Sequence, residues 1–241
     1  MHAAIITGVS RGLGEALAAA LLARSAYVLG IGRSSSPRLQ GEHYRFVACD
    51  LARPAEIAER IGPALRELAQ LPLSAVTLIN NAAVATPVGI TGRLDIAAAH
   101  AAFATNVTSP LALADLFLNT FDERLERRIL NISSGAAKTA IAGSAVYCVS
   151  KAALEMLTQA IAVDHVSPHF RCIALRPGIF DTDMQALMRD QDPAIFPSAP
   201  MFRGFKDSGA LKDTATVAVR IVERLVAAPV EHGRIYNHVD L

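Results

Sequence analysis

The sequence has no tryptophan, and aromatic residues make up only 5% of its 241 residues. Platforms that stack nucleic-acid bases or sugar rings need aromatic side chains, so binding sites of both kinds are disfavoured. Charge of one sign is lacking too, because 23 Lys and Arg face 22 Asp and Glu, for a net charge of +1. Without a strong field to attract polyanions or anionic lipids, we expect neither nucleic acid nor a membrane as a partner.

Cysteine is scarce as well. Cys49, Cys148 and Cys172 are odd in number and widely spaced, which predicts neither a disulfide framework nor a zinc site. No uninterrupted apolar run approaches the roughly 20 residues of a membrane span, and the first residues do not resemble a signal peptide. With 52% hydrophobic residues, the composition predicts a globular protein of the reducing cytoplasm.

Short apolar runs alternate with helical stretches along the whole chain. Runs without polar alternation are typical of strands buried on both faces of a parallel sheet. We predict strands at 3–7, 27–31, 44–49, 75–79, 128–132, 171–175 and 235–239, and helices at 14–24, 54–71, 94–121, 146–166 and 214–227. The alternation predicts one α/β domain, residues 1–241, with a Rossmann-type doubly wound parallel sheet of about seven strands and helices on both faces.

A glycine-rich turn of the form GxxxGxG joins the first predicted strand to the first helix. Its glycines let the backbone approach a pyrophosphate, whose charge is favoured at a helix N-terminus. An acidic residue after the second strand would bind the ribose of NAD, but the sequence has Arg33-Ser34 there. Arg11 in the turn can reach the same 2'-phosphate, so we predict NADP(H) as the cofactor. The contacts predicted in this half are Gly8, Ser10, Arg11, Gly12, Leu13, Gly14, Arg33, Ser34, Asp50 and Leu51, with a capping role for Asp50 as the alternative.

Tyr147 and Lys151 lie four residues apart on a predicted helix, which places both side chains on one face. A free phenol has a pKa of about 10, and an adjacent ammonium lowers it toward the range useful for proton transfer. A hydroxyl at the end of the fifth strand can hold a substrate carbonyl beside the tyrosine. Ser133 and Ser134 both stand there, and because side chains alternate along a strand only one of them faces the site.

Together these motifs resemble the short-chain dehydrogenase/reductase family over essentially the whole chain. They include an NNAG-like stretch at residues 80–83, with Ala83 in place of the usual glycine, and an Arg-Pro-Gly turn at residues 176–178. The resemblance implies that Tyr147 is the general acid/base, that Lys151 lowers its pKa and holds the nicotinamide ribose, and that Ser134 orients the carbonyl. It also implies that Asn106 supports a water molecule that relays protons next to Lys151. The further cofactor contacts it implies are Asn81, Ala82, Tyr147, Lys151, Pro177, Gly178, Ile179 and Thr182.

Within this family the residues 131–134 and 176–185 resemble the sepiapterin and benzil (diketone) reductases most. Sepiapterin reductases keep a carboxylate near the C-terminus for the pterin, whereas the simplest alignment places Asn237 there, with Asp240 three residues later. We therefore expect NADPH-dependent reduction of a ketone or vicinal diketone. The alternatives are an alcohol dehydrogenase working in the oxidative direction, a sepiapterin-type pterin reductase, and a non-catalytic NADP-binding regulator.

The Pro- and Gly-containing residues 178–211 are predicted to form a loop over the substrate. Its apolar residues would form the cover: Met184, Leu187, Met188, Phe196, Met201, Phe202 and Phe205. In the same region, Thr182 and Gln185 have the spacing of a capping box, which we favour over a catalytic or metal-binding role for Asp181 and Asp183.

No metal is predicted, because Pro168 between His165 and His169 keeps the two imidazoles from sharing a helix face. Cys148 lacks a histidine partner and is not expected to be a nucleophile. The helix that follows Tyr147 carries more apolar residues than one buried stripe needs, which predicts a homodimer or homotetramer formed through this helix.

Overall fold

The computed structural model describes all 241 residues and has a seven-stranded, fully parallel sheet at its centre. The strand order is β3-β2-β1-β4-β5-β6-β7. The strands are β1 (His2–Thr7), β2 (Tyr27–Gly32), β3 (Tyr44–Ala48), β4 (Ala75–Asn80), β5 (Glu126–Ile132), β6 (Phe170–Arg176) and β7 (Ile235–Asn237). The order reverses direction between β1 and β4. This arrangement confirms the predicted Rossmann-type doubly wound sheet.

Eight α-helices accompany the sheet and cover both of its faces. They are α1 (Gly12–Leu22), α2 (Ile57–Ala69), α3 (Ile96–Phe103), α4 (Ser109–Thr120), α5 (Ala145–Asp164), α6 (Asp183–Arg189), α7 (Ala199–Asp207) and α8 (Thr214–Ile221). Buried residues of α1 and α8 pack on one face, and buried residues of α2, α4 and α5 pack on the other.

The core consists of two apolar layers of 22 buried residues each, one on each face of the sheet. Successive residues of β1 alternate between them, so that Ala3 and Ile5 enter one layer while Ala4 and Ile6 enter the other. Burying a side chain such as Ile5 contributes about 2 kcal/mol, and β1 has such partners on both faces. The sheet is therefore a firm platform for the residues at its edges.

Four predicted elements differ from the structure. The helix predicted at 214–227 is α-helical only to Ile221 and continues as a π-helical stretch, Val222–Ala227. The single helix predicted at 94–121 is interrupted by a π-helical turn, Ala104–Thr108. The loop predicted at 178–211 contains α6 and α7. Pro200 does not prevent α7, because it lies in the first turn, where a missing N–H costs nothing. The last strand ends at Asn237 instead of residue 239, since a 3₁₀ turn, His238–Asp240, follows it.

The expectation about membrane-length apolar segments also needs correction. The helical stretches Ile96–Thr120 and Ala145–Asp164 are long and apolar enough, by length and composition alone, to cross a membrane. Polar and charged residues such as Asp115, Lys151 and Glu155 break the uninterrupted runs, but the mean hydropathy stays high, at 1.3. Buried residues from both stretches pack against the sheet, and core helices pass this test as readily as membrane helices.

Candidate active site

The predicted site residues gather at the edge where the parallel strands end. β1 ends at Thr7, β4 at Asn80, β5 at Ile132 and β6 at Arg176, and the chain leaves each strand on this same side. The change of direction between β1 and β4 opens a crevice at this edge, which is where open α/β sheets bind ligands.

Ser134, Tyr147 and Lys151 meet above the end of β5. The Ser134 hydroxyl lies near the Tyr147 phenol, close enough to lower the pKa of that phenol. The ammonium of Lys151 lies 5.7 Å from the centre of the Tyr147 ring and donates a hydrogen bond of 2.8 Å to the carbonyl oxygen of Ile132. Because Lys151 follows Tyr147 by one turn of α5, one helix positions both side chains.

The pKa of Tyr147 differs from what the sequence predicted. Burial raises the pKa of the Tyr147 phenol, and the nearby Ser134 hydroxyl lowers it only in part. The expected lowering by Lys151 is not found, since its ammonium points to the Ile132 carbonyl. Burial lowers the pKa of Lys151 to about 8, against the opposing effect of the Glu155 carboxylate. The phenol is thus held protonated at neutral pH, as a proton donor must be.

The structure separates the two candidate serines by their partners. Ser134 faces Tyr147, whereas the hydroxyl of Ser133 donates a 2.6 Å hydrogen bond to the carboxylate of Glu155. Glu155 also accepts two hydrogen bonds of 2.7 Å from the guanidinium of Arg176, the last residue of β6. This buried cluster ties α5 to the ends of β5 and β6, beside the catalytic residues.

Asn106 lies in the π-helical turn and is 1% exposed. Its side chain donates hydrogen bonds to the Val84 carbonyl at 2.8 Å and to the Ser150 hydroxyl at 3.0 Å, and it accepts one from the Val84 N–H. Asn106 therefore reaches the residue next to Lys151 and holds the segment after β4 against α5. Single π-helical turns recur at functional sites.

The turn between β1 and α1 fits a dinucleotide pyrophosphate. Gly8 and Gly12 have φ of +76° and +61°, a region that side chains rarely adopt. A Cβ on Gly14 would lie 2.1 Å from the Gly8 carbonyl oxygen, so the turn packs too tightly for any other residue. The residue before α1, Arg11, makes no side-chain cap, which leaves the first N–H groups of the helix free for phosphate oxygens.

The neighbouring loop after β4 supports this turn. The Thr7 hydroxyl accepts hydrogen bonds from the N–H groups of Asn81 and Ala82, both at 3.0 Å. The Asn81 side chain donates to the carbonyl oxygens of Thr7 and Gly8. Asn81 and Ala82 are thus placed beside the glycine turn, as a cofactor cradle requires. Of the two remaining turn residues, Ser10 is half-buried and Leu13 packs into the core.

Arg33 and Ser34 follow β2 and are exposed, and Arg33 has neither an ion-pair nor a hydrogen-bond partner. Arg11 does not converge with it as expected. Its guanidinium instead forms an exposed 2.6 Å ion pair with Asp183, because the start of α6 lies over the turn. The side chain of Asp50 accepts a hydrogen bond from the Ala52 N–H.

Leu51, next to Asp50, is buried, and its carbonyl accepts a 2.6 Å hydrogen bond from the Ser109 hydroxyl.

At the other end of the crevice, the turn after β6 has Gly178 at φ +95° and the Ile179 carbonyl bonded to the Lys212 N–H. Pro177 is buried. Thr182 approaches the glycine turn, since a Cβ on Gly12 would lie 3.4 Å from its methyl group. Thr182 precedes α6 as predicted, but the capping box is wrong because its side chain makes no cap.

Gln185, the other half of the predicted capping box, donates instead to the carbonyl of Phe202. Asp181 is held by Lys206 and by Arg189, and Asp183 by Arg11, so each carboxylate has its own cation. This pairing favours the structural role over a carboxylate pair that works as acid and base.

The segment from α6 to α7 lies against Tyr147. Met188 and Phe196 are buried, and the partly exposed Met184, Phe202 and Tyr147 pack on the cluster that they form. The remaining residues of the predicted cover lie at its outer side, with Leu187 and Met201 exposed and Phe205 edge-on to Phe202. The wall beside Tyr147 is therefore apolar.

Neither Glu155 nor Glu15 was singled out from the sequence. Glu155 follows Lys151 by four residues, so helical spacing could have indicated its place on the same face. Glu15 follows the third glycine of the turn, and its partner Arg38 comes from a separate segment, so no local pattern could have joined them. His165 and His169, for which no metal role was predicted, contact other residues. His169 pairs with Glu126, and His165 packs on Phe170.

Comparison with known proteins agrees with this geometry. The family model for short chain dehydrogenases matches residues 2–193. The chain is 30% identical to the benzil reductase ((S)-benzoin forming) of Bacillus subtilis over 98% of both chains. It is 34% identical to the sepiapterin reductase of Mus musculus, over 98% of this chain and 95% of that one.

Among solved structures, a short chain dehydrogenase/reductase of Saccharomyces cerevisiae superposes with a TM-score of 0.86 at 24% identity, over 99% of this chain and 96% of that one. This structure is similar in fold, whereas the family model and the two relatives show similarity in sequence. The chain belongs to the short-chain dehydrogenase/reductase family, oxidoreductases that use nicotinamide cofactors.

Proposed function

We propose that the protein is an NADPH-dependent carbonyl reductase that converts a ketone or vicinal diketone to the alcohol. The observation that carries the proposal is the pair of Ser134 and Tyr147 side chains brought together beside the buried ammonium of Lys151. This pair lies at the same sheet edge as the uncapped N-terminus of α1, where a dinucleotide pyrophosphate fits.

In the proposed reaction the Ser134 hydroxyl orients the substrate carbonyl oxygen, and the Tyr147 phenol donates its proton to that oxygen. Bound NADPH would supply the hydride for the carbonyl carbon. Lys151, whose ammonium lies 5.7 Å from the centre of the Tyr147 ring, would supply a positive charge on the same helix face as the phenolate that remains after proton transfer. Asn106 and Val84 hold the segment after β4 in place beside α5 while this occurs.

NADPH as the cofactor is supported by Arg33, which is exposed after β2 with no carboxylate partner. A guanidinium there pairs with a 2'-phosphate, whereas an Asp or Glu would be needed for the ribose hydroxyl of NAD. Reduction starts from a protonated phenol, and the raised pKa of Tyr147 keeps the phenol in that state at neutral pH. A purely regulatory dinucleotide-binding protein would not need this acid.

An apolar substrate is supported by the wall of Met184, Met188 and Phe202 beside Tyr147, and by the benzil reductase relative. A pterin is the second candidate, supported by the sepiapterin reductase relative. At the position where a pterin-binding carboxylate was considered, Asn237 accepts a hydrogen bond in a capping box with Asp240. The side chains of Asn237 and Asp240 therefore both cap the turn that follows β7.

The test follows NADPH absorbance with benzil, other vicinal diketones, quinones, simple ketones and sepiapterin, each also with NADH. We expect benzil-type diketones to give the highest kcat/KM, with NADPH preferred over NADH. Turnover of sepiapterin well above that of the diketones would favour the second candidate. No oxidation of either cofactor with any carbonyl would overturn the assignment in favour of a regulator.

We further propose a homodimer in the cytoplasm, formed through α4 and α5, with no nucleic acid or membrane partner. The outer faces of these helices expose apolar side chains, with Met156 63%, Val163 78% and Leu111 50% exposed. Such a surface is typical of an interface between subunits. All three cysteines are free thiols, as a reducing compartment requires. Light scattering that shows only monomer at micromolar concentration would contradict the dimer.

A further inference from the structure

A buried carboxylate lies between the two predicted phosphate-binding segments. Glu15 is the fourth residue of α1, directly after the glycine turn, and it is 8% exposed. Its carboxylate accepts hydrogen bonds from the Ser36 hydroxyl and, at 2.8 and 2.5 Å, from the guanidinium of Arg38. Ser36 and Arg38 belong to the segment 33–39 that follows β2, so Glu15 joins this segment to α1.

The segment 33–39 is held by hydrogen bonds at Ser35 and Ser36, whereas its first two residues are exposed to solvent. Ser36 is 3% exposed, and its oxygen also accepts a hydrogen bond from the Arg38 N–H. Ser35 is hydrogen-bonded to the Tyr44 hydroxyl on β3 at 2.6 Å. The two residues before these anchors, Arg33 and Ser34, are exposed and face no protein partner. The anchors therefore restrict the backbone that presents Arg33, while its guanidinium stays available.

The Glu15–Arg38 pair does not look like a device for stability. The side chain of Arg38 is 81% exposed, and an ion pair with one solvated partner contributes little to folding. A lone carboxylate near the pyrophosphate turn would also repel the phosphates of a bound dinucleotide. Pairing with Arg38 removes that repulsion and at the same time fixes where the chain runs after β2.

We propose that Glu15 is a positioning residue for cofactor choice: its carboxylate fixes the segment 33–39 so that Arg33 meets the 2'-phosphate of NADPH. The proposal rests on the proposed use of NADPH. It explains why the preference for NADPH depends on a residue of α1. NADH has no 2'-phosphate and does not need Arg33, so the role concerns only one of the two cofactors.

The experiment measures KM and kcat for NADPH and NADH with one carbonyl substrate in Glu15→Gln and Glu15→Ala. For Glu15→Ala we expect the KM for NADPH to rise about 10-fold, the scale of one lost charge-assisted hydrogen bond, with the KM for NADH and both kcat values within about twofold. Glu15→Gln keeps one acceptor and should show a smaller rise. NADH serves as the internal control for folding and chemistry.

Two further variants complete the design. Glu223→Ala breaks a different ion pair, with Arg24 just after the end of α1 and away from the segment 33–39, and should leave both KM values unchanged. Arg33→Ser should remove the preference for NADPH, and adding Glu15→Ala to it should change nothing more. If Arg33→Ser has this effect but Glu15→Ala alters both cofactors equally or neither, the role of Glu15 is wrong. If the unaltered protein prefers NADH, the proposed cofactor and this inference are both overturned.

Discussion

The state of Lys151 makes a quantitative prediction about pH. Its pKa is lowered to about 8 by burial, so it loses its proton in a range where enzymes are commonly assayed. If the ammonium is needed to favour the Tyr147 phenolate, reduction slows as pH rises through this value. A group with a pKa of 8 is about 90% protonated at pH 7 and about 10% protonated at pH 9. We therefore expect kcat/KM for reduction to fall about tenfold between pH 7 and pH 9.

Glu155 shifts the pH at which this fall occurs. Its carboxylate raises the pKa of Lys151 and so opposes the effect of burial. Glu155→Gln keeps the size of the side chain and an acceptor for Ser133 but removes the charge. We expect the fall in kcat/KM to move to lower pH, so that at pH 7 the variant is slower while at pH 6 it approaches the unaltered protein.

The assay is a pH profile of kcat/KM from pH 6 to 9.5 with NADPH and the best substrate, for the unaltered protein and for Glu155→Gln. Glu223→Gln removes an exposed carboxylate elsewhere and serves as the control with an unchanged profile. A thermal melt checks that the loss of the Arg176 partner has not unfolded the variant. A rate that stays flat from pH 7 to 9.5, or a fall that Glu155→Gln does not move, would refute the reasoning.

Three other predictions concern stability and assembly. Lys151→Met should abolish turnover, and in denaturant titrations its free energy of unfolding relative to the unaltered protein should drop by about 3 kcal/mol as pH rises from 8 to 10.5, because the pKa of Lys151 is lowered from 10.5 to about 8 in the folded protein and the charged lysine destabilises it only below that range. Gly14→Ala should lower the melting temperature and weaken NADPH binding in a fluorescence titration, because its Cβ would meet the Gly8 carbonyl, whereas Gly204→Ala, with open space around it, should do neither. Val163→Glu should shift the light-scattering mass from dimer to monomer at unchanged kcat, and a dimer that persists would place the interface elsewhere.

The parts of the site that the sequence predicted are those defined by local spacing. Gly8, Gly12 and Gly14 specify a turn that only glycine permits, and Tyr147 and Lys151 share a face through one helical turn. The apolar runs indicated all seven strands because strands buried on both faces leave that pattern.

What the sequence could not show depends on residues far apart in the chain. The pairing of Arg11 with Asp183 arises because the start of α6 folds over the first turn. The choice between Ser133 and Ser134 depends on Glu155, which accepts from the former and leaves the latter to Tyr147. No local pattern marks the π-helical turn at Asn106, whose hydrogen bonds to Val84 form only in the folded protein.

The central claim, that Tyr147 is the proton donor of a carbonyl reductase, is tested most directly by Tyr147→Phe. This change removes one hydroxyl and keeps the ring against Met184 and Phe202. NADPH oxidation with the best carbonyl substrate, and NADPH binding by fluorescence, are measured on the same preparation. We expect turnover to fall at least about 100-fold, the scale of losing a general acid, with the dissociation constant for NADPH changed less than threefold. Turnover within about threefold of the unaltered protein would contradict the account.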